Sequence, residues 1–349
     1  MIKYLKLLKY TTIIFFIIFF LILSSKAYTN NIKNSAVIYM YHRFGESAYP
    51  STNITLEQFE EHLKEFSKEK YNVVSLEYII DAFNTDTKLP ENTIAITVDD
   101  GYKSVLLEAW PRLKKLGFPL TLFVSTEPID AKIKGYLSWD EIRKLKSEGV
   151  VIGAHTRTHP HLHELTLEKI KSEIEYSNKR YLSEINEIPK LFAYPFGEAS
   201  KEVIDILKDY KFKAAFGQHS GVINETSDFY YLPRFSLNEQ YGNIERVIFT
   251  ANSKGLGVYE FIPYDPLLKE NPPFIGFSLL DKNLSAGIKC FVFDSNGSVE
   301  TEIYKFGERI EIRLKRNLKS GRVRVNCTVK DQSNWRWYGK QFILPNYLD

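Results

Sequence analysis

Ile94-Ala-Ile-Thr-Val-Asp-Asp-Gly-Tyr102 is the stretch on which the fold turns. Five apolar or β-branched residues run directly into two adjacent carboxylates and a glycine. A continuous apolar run that ends at a turn signal reads as a strand buried on both faces, as in parallel sheets. Side chains alternate along a strand, so Asp99 and Asp100 cannot share a cavity in mid-strand. At the strand's C-terminal end, where Gly101 lets the backbone swing, they can. That is where active sites lie in parallel α/β barrels and sheets. Two carboxylates taken out of water together repel, and a metal ion beside a proton-accepting group would compensate. A solvated Asp-Asp-Gly turn is the plainer reading of the tripeptide alone.

Outward from this strand the pattern repeats. Ala36–Tyr41, Leu120–Val124, Val150–Gly153, Leu191–Tyr194, 212–216 and a last segment near Tyr231-Leu232 read as further strands. Helices are expected between them, among them 55–70, opened by Thr55 and Gln58 as a capping box, and 166–183. Alternating strands and helices imply parallel pairing. The expected fold class is α/β, a distorted (β/α)7-type barrel with polar residues gathered just after its strands. Beyond Pro263, Pro266, Pro272 and Pro273 the period becomes two, as in Arg309-Ile-Glu-Ile-Arg-Leu and Val323-Arg-Val-Asn-Cys. That texture predicts a small C-terminal antiparallel β domain, sandwich-like. The expected division is 1–27, 28–255 and 256–349.

The first segment has its own character. Lys3, Lys6 and Lys9 precede an apolar block, Ile13–Leu23, followed by Ser25-Lys26-Ala27. A basic start, a short apolar run and small residues make a secretory signal with cleavage after Ala27, an uncleaved anchor being the other reading. The leader holds four lysines and no acid, which leaves 42 basic residues against 43 acidic ones. A near-neutral exported chain gives no sign of a nucleic-acid partner, and no stable membrane span is expected once the signal is removed. Cys290 and Cys327 fit either one disulfide, in an exporting compartment, or two buried thiols.

The second constellation is Gly153-Ala-His155-Thr-Arg-Thr-His159-Pro-His161-Leu-His163, in which four of the chain's seven histidines fall within nine residues. Pro160 disfavours helix at His159, so a loop that folds His155 and His159 onto one ion is expected. Two imidazoles and a carboxylate with open positions make a hydrolytic metal centre. A solvated histidine-rich loop is the alternative, and His161 and His163 are read as lying outside the ion's immediate shell.

Together Thr97-Val-Asp-Asp-Gly101, His155-Thr-Arg-Thr-His159-Pro160 and Tyr194-Pro-Phe-Gly197 resemble three motifs of the polysaccharide deacetylases, carbohydrate esterase family 4, over about residues 36–240. Tyr41-His42-Arg43 resembles an early element of the exported poly-N-acetylglucosamine deacetylase branch. The resemblance implies metal-dependent removal of N-acetyl groups from an N-acetylated glycan. It implies Asp99 as general base, with Asp100, His155 and His159 as ligands to zinc, cobalt or another divalent transition metal, and the Tyr194 backbone N–H as an oxyanion donor. Two departures stand out. Ala193 occupies the place of an arginine that would orient the base, and Arg234, after the last strand, is expected to replace it unless it is a surface residue. The usual Leu-x-His motif is absent, and His219, in Gly217-Gln-His-Ser-Gly221, is expected to protonate the leaving amine unless it is an ordinary loop histidine.

Rival readings are a degenerate glycan-binding barrel, a hydrolase of another amide or O-acetyl ester, and a non-haem iron site. Trp139 and Asp140 border either a sugar subsite or the barrel wall. Trp335 and Trp337 share a strand face, for which a core role is favoured over a sugar platform.

Overall fold

Six parallel strands frame the site in the computed structural model, which describes residues 32–349. They are β1 (Ser35–Tyr41), β2 (Thr93–Val98), β3 (Thr121–Val124), β4 (Val151–Ala154), β5 (Leu191–Ala193) and β6 (Ala214–Phe216), each paired in parallel with the next. The sheet curls, and one irregular segment brings its ends together. Leu232 bridges Phe216 of β6, and Phe235-Ser236 pairs in parallel with Tyr39-Met40 of β1. Residues 232–236 therefore take the place of a seventh strand. The expected leader, 1–27, lies outside the described residues. Among those described, no helix is long and apolar enough to cross a membrane.

Alternation explains the two faces of the sheet. Ile94, Ile96 and Val98 of β2 pack outward under the helices, whereas Ala95 joins an inner cluster with Ala36, Ile38, Phe123, Ala193, Ala214 and Phe216. Small residues on several strands leave room for two phenylalanines. At Gly153 a Cβ would lie 2.3 Å from the Phe123 ring, so only glycine lets β4 pass so close. Thr97 and Asp99 follow Ala95 on the same inner face.

The covering helices include α1 (Leu56–Phe66), α2 (Leu76–Asn84), α3 (Trp110–Leu116), α4 (Trp139–Ser147), α5 (Leu167–Ile185), α6 (Lys201–Asp209) and α7 (Ile244–Ala251). Thr55 and Gln58 cap α1 reciprocally, with Gln58 N–H donating to Thr55 Oγ1 at 3.1 Å; such caps stabilise by about 1 kcal/mol. A π-helical turn, Val105–Ala109, precedes α3, and Gly117 closes that helix at φ 69°. Left-handed geometry there favours glycine.

The C-terminal strands form two further sheets. Val258–Ile262 (β7), Ile275–Leu279 (β8), Thr301–Phe306 (β11) and Arg309–Leu314 (β12) make one. Lys289–Asp294 (β9), Gly297–Val299 (β10), Gly321–Asp331 (β13) and Asn334–Leu344 (β14) make the other, extended by Lys254-Gly255. Alternate residues of both meet in one core, including Phe277, Val292, Ile310, Val325 and Phe342, which is a sandwich. Cys290 and Cys327 face each other across β9 and β13 and are disulfide-bonded.

The sandwich rests against the barrel through β14. Trp337 packs edge-on against Phe235 at 5.1 Å and, like Trp335, against Phe249 of α7. The two tryptophans thus face the barrel, not the interior of the sandwich.

Candidate metal centre and active site

Asp99 and Asp100 leave β2 in different directions because the backbone turns left-handed at once, with φ 76° at Asp100 and 88° at Gly101. The swing begins one residue earlier than the glycine alone would suggest. Asp99 is fully buried, and Arg234 grips it with two hydrogen bonds of 2.7 Å, one to each carboxylate oxygen. The same guanidinium donates from Nε to the Gly217 carbonyl at 2.9 Å and from Nη1 to Thr97 Oγ1 at 3.2 Å. Every face of the pair is thus partnered, as a buried ion pair requires. Arg234 reaches the barrel interior because it lies in the closing segment between Leu232 and Phe235. Burial pushes the Asp99 carboxyl up, but Arg234, then His155 and His42, outweigh it and hold it below the usual carboxylate range.

Asp100 converges instead with His155 and His159. Its Oδ1 lies 3.3 Å from His155 Nε2 and 3.5 Å from His159 Nε2. No hydrogen bond joins Asp100 Oδ1 to His155 Nε2, and both atoms are buried without a partner. Ligands on a tetrahedral ion with bonds of about 2.0–2.1 Å stand about 3.3 Å apart, so these atoms are spaced for a common ion and not for each other. The donor set fits a divalent transition metal. His155 Nδ1 lies 2.8 Å from the Ala193 carbonyl, which can only accept, so Nδ1 carries the proton and Nε2 is free to ligate. Burial opposes charge on Asp100, but His155, His42 and His159 hold it far below its ordinary value. His155 is raised in spite of its burial by the two aspartates, while burial and then His155 lower His159 to about 4.

The ligand loop is fastened from both sides. Ser125 Oγ donates to the His155 carbonyl, and the Thr126 and Glu127 N–H groups donate to the Thr156 and Arg157 carbonyls. Glu173 of α5 accepts from the Arg157 and Thr158 N–H groups at 3.0 and 2.8 Å. These bonds offset left-handed backbone at Thr156 and His159, φ 65° and 59°, each worth of order 1–3 kcal/mol of strain.

Two expected residues are engaged or enclosed by other parts of the fold. The Tyr194 N–H donates to the Phe216 carbonyl at 3.0 Å and its hydroxyl to the Tyr230 carbonyl at 2.6 Å. Tyr194 directly follows β5, and in this structure its amide is bonded to the end of β6. Phe196, two residues on at φ 58°, packs its ring against His159 at 4.5 Å. His219 is 2% exposed, wedged against Tyr231, with neither ring nitrogen partnered. Burial, then Lys340, Arg324 and Arg234, push it well below the ordinary histidine range. The ring is thus sealed from solvent beside these cations.

His42, which the sequence places in an early motif without a role, stands near the two aspartates. It follows β1, adjacent to β2, and is only half-buried. It is among the charges that lower both Asp99 and Asp100. The signal was present in the order of strands, since a residue just after β1 must stand beside one just after β2. Trp139 is mostly buried, donates to Asp130 at 2.7 Å and meets Tyr181 edge-on. With the exposed Asp140 it borders a groove of about 1000 Å³, whose lining does not include the ligand set.

Residues 86–215 match the polysaccharide deacetylase family. The chain carries a polysaccharide deacetylase domain. This is a family of hydrolases acting on carbon–nitrogen bonds. Among similar proteins, YxkH of Bacillus subtilis (strain 168), assigned to the polysaccharide deacetylases, is 26% identical over 201 residues, 58% of this chain and 71% of its own. The poly-beta-1,6-N-acetyl-D-glucosamine N-deacetylase of Staphylococcus aureus (strain MSSA476) is 22% identical over 233 residues, 59% of this chain and 80% of its own. The deacetylase fold is also that of Streptococcus pyogenes deacetylase PplD in complex with acetate, with a TM-score of 0.58 at 21% identity over 63% of this chain and 99% of that one. IcaB from Ammonifex degensii gives 0.56 at 23% identity over 62% and 97%.

Proposed function

We propose that this deacetylase is an exported, divalent-metal-dependent enzyme that hydrolyses N-acetyl groups of an N-acetylhexosamine glycan and releases acetate. The observation that carries the reading is the division between two adjacent carboxylates. Asp100 converges with two imidazoles, while Asp99 stays apart from them in the grip of Arg234. A binding protein has no use for an ionised, unligated base beside a ligand set.

Asp100, His155 and His159 would hold zinc, cobalt or a similar ion, which when bound polarises the acetamide carbonyl and acidifies water. Asp99 takes the proton from the attacking water, and Arg234 fixes the carboxylate's direction and keeps it ionised between turnovers. As the carbon–nitrogen bond breaks, His42 gives a proton to the departing amine. The free amine stays on the sugar and the acetyl carbon leaves as acetate. Phe196 confines the His159 side of the site. The division into a catalytic domain to about residue 255 and an accessory sandwich from 256 belongs to the same reading, supported by Leu256 and Val258 packing into the sandwich core.

The Staphylococcus aureus relative makes β-1,6-linked poly-N-acetylglucosamine the first substrate to try. Residues 28–349 would be assayed for acetate release on β-1,6- and β-1,4-linked N-acetylglucosamine oligomers and on O-acetylated esters, with zinc, cobalt or chelator. Chelator-sensitive release from an N-acetylated oligomer is the expected result. Release from esters alone would overturn the reading, as would release indifferent to chelator.

A further inference from the structure

His161, His163 and Glu198 form a second convergent set that the chemistry above leaves unused. Glu198 Oε2 is hydrogen-bonded to His161 Nδ1 at 2.5 Å and lies 3.5 Å from His163 Nδ1, and one ligand atom from each of the three lies within 4.8 Å of the others. The side chains of Glu198 and His163 are 6% and 10% exposed, and His163 Nδ1 is buried without a hydrogen-bond partner. His161 is 44% exposed, so the set opens to solvent on its side alone. Local structure explains the convergence. Leu162 is buried in the core at the start of a 3-10 turn, which leaves its two histidine neighbours together beside the turn after Phe196.

We propose that these three residues bind a second divalent transition-metal ion, separate from the one assigned to Asp100, His155 and His159. Two imidazoles and one carboxylate suit zinc, cobalt or nickel better than magnesium or calcium. The His163–Glu198 separation already matches the spacing of about 3.3 Å between ligands on a tetrahedral ion. His161 stands closer and must retreat by under about 1 Å, which its exposed ring permits. The other carboxylate oxygen is engaged from outside, with Arg322 Nε 3.7 Å from Oε1, and Glu164 lies 3.8 Å from His163 Nε2. Arg322 therefore faces Oε1, and Oε2, now shared with His161, is the oxygen that the ion would take. The His161 ring stacks flat on Phe196 at 4.0 Å, and Phe196 in turn lies against His159. An ion here fastens the 161–163 loop to the 196–198 turn, and so holds both segments that border the first site.

The test counts metal. Residues 28–349 would be saturated with zinc, desalted and analysed by mass spectrometry for zinc per folded chain. Two zinc ions are expected for the wild-type chain and one for Asp100→Ala. Adding His163→Ala to Asp100→Ala should remove the remaining ion. Glu198 is buried and its replacement could unfold the turn, so the exposed His161→Gln is the gentler variant. In the Asp100→Ala background it should weaken zinc binding about tenfold or more with an unchanged circular dichroism spectrum. No zinc in folded Asp100→Ala would overturn the proposal, as would an ion in that variant that is indifferent to both histidine substitutions. A single wild-type zinc that Asp100→Ala keeps and His163→Ala removes would support it and overturn the Asp100 site instead. Acetate release is not the readout, so a wrong substrate assignment leaves the result intact.

Discussion

Two strand ends on the same rim of the barrel met opposite fates. Asp99 and Asp100 follow β2, Gly217-Gln218-His219 follows β6, and catalytic groups were expected at both. At the end of β2 the backbone turns left-handed, and the cavity receives a carboxylate held by Arg234 and another facing two histidines. At the end of β6 the sandwich closes over the chain. A Cβ on Gly339 of β14 would fall on the Ser220 carbonyl, and Gln341 of β14 donates to the Gly197 carbonyl at 2.9 Å. His219 is sealed beneath that contact, beside Lys340 and Arg324. Arg234 links the two ends, donating to the Gly217 carbonyl on one side and to Asp99 on the other. A polar residue after a parallel strand is thus a candidate only until the covering element is known.

The largest effect is expected for Arg234→Met. It leaves Asp99 buried without its guanidinium partner, and losing one partner of a buried pair costs about 3–5 kcal/mol. Denaturant unfolding should show that loss at neutral pH. The same pair sets an acid limb. Asp99 titrates below its unfolded value, so its contribution is complete above the ordinary carboxylate range and is lost as pH falls through the depressed native value. Wild-type stability should decline toward the Arg234→Met value on acidification; parallel curves would mean that the pair carries no pH-dependent stability.

The two histidines distinguish the strand ends directly. His42→Ala should lower kcat for acetate release by about 10²-fold or more, the scale of a lost general acid. His219→Ala should change kcat by less than about tenfold, below that scale, and act on thermal stability instead. The reverse ranking would restore His219 as the proton donor. The smallest effect is expected at the cover itself. Gln341→Leu removes one hydrogen bond to the Gly197 carbonyl while Tyr231 still donates to it at 2.8 Å. A stability loss of about 1 kcal/mol is expected, and a large fall in kcat would show that β14 does more than support the 195–197 turn.

Much of this was legible in the sequence, for local reasons. The β2 run, the capping box at Thr55 and the period-two strands after residue 288 are set by neighbouring residues, and all appear in the fold. The His-x-x-x-His spacing brought its two rings to one carboxylate because Pro160 denied them a helix. Long-range facts were harder to read. Nothing near Arg234 says that residues 232–236 close the barrel, and nothing near His219 says that β14 covers it. The bond from the Tyr194 amide to the Phe216 carbonyl was not legible either, since it is set by a strand more than twenty residues away. Trp335 and Trp337 were placed on one face correctly by alternation, but that face meets α7 of the barrel.

The division of labour between Asp99 and Asp100 is the central claim, and one preparation of Asp99→Asn tests it. Zinc content and acetate release would be measured on the same folded protein, with zinc at the 161–163 loop removed by His163→Ala in both mutant and control. One zinc ion should be retained and acetate release reduced by about 10²–10⁴-fold, the range for a lost general base. Loss of the ion together with activity would make Asp99 a ligand, and retained activity would mean that the base lies elsewhere; either result contradicts the account.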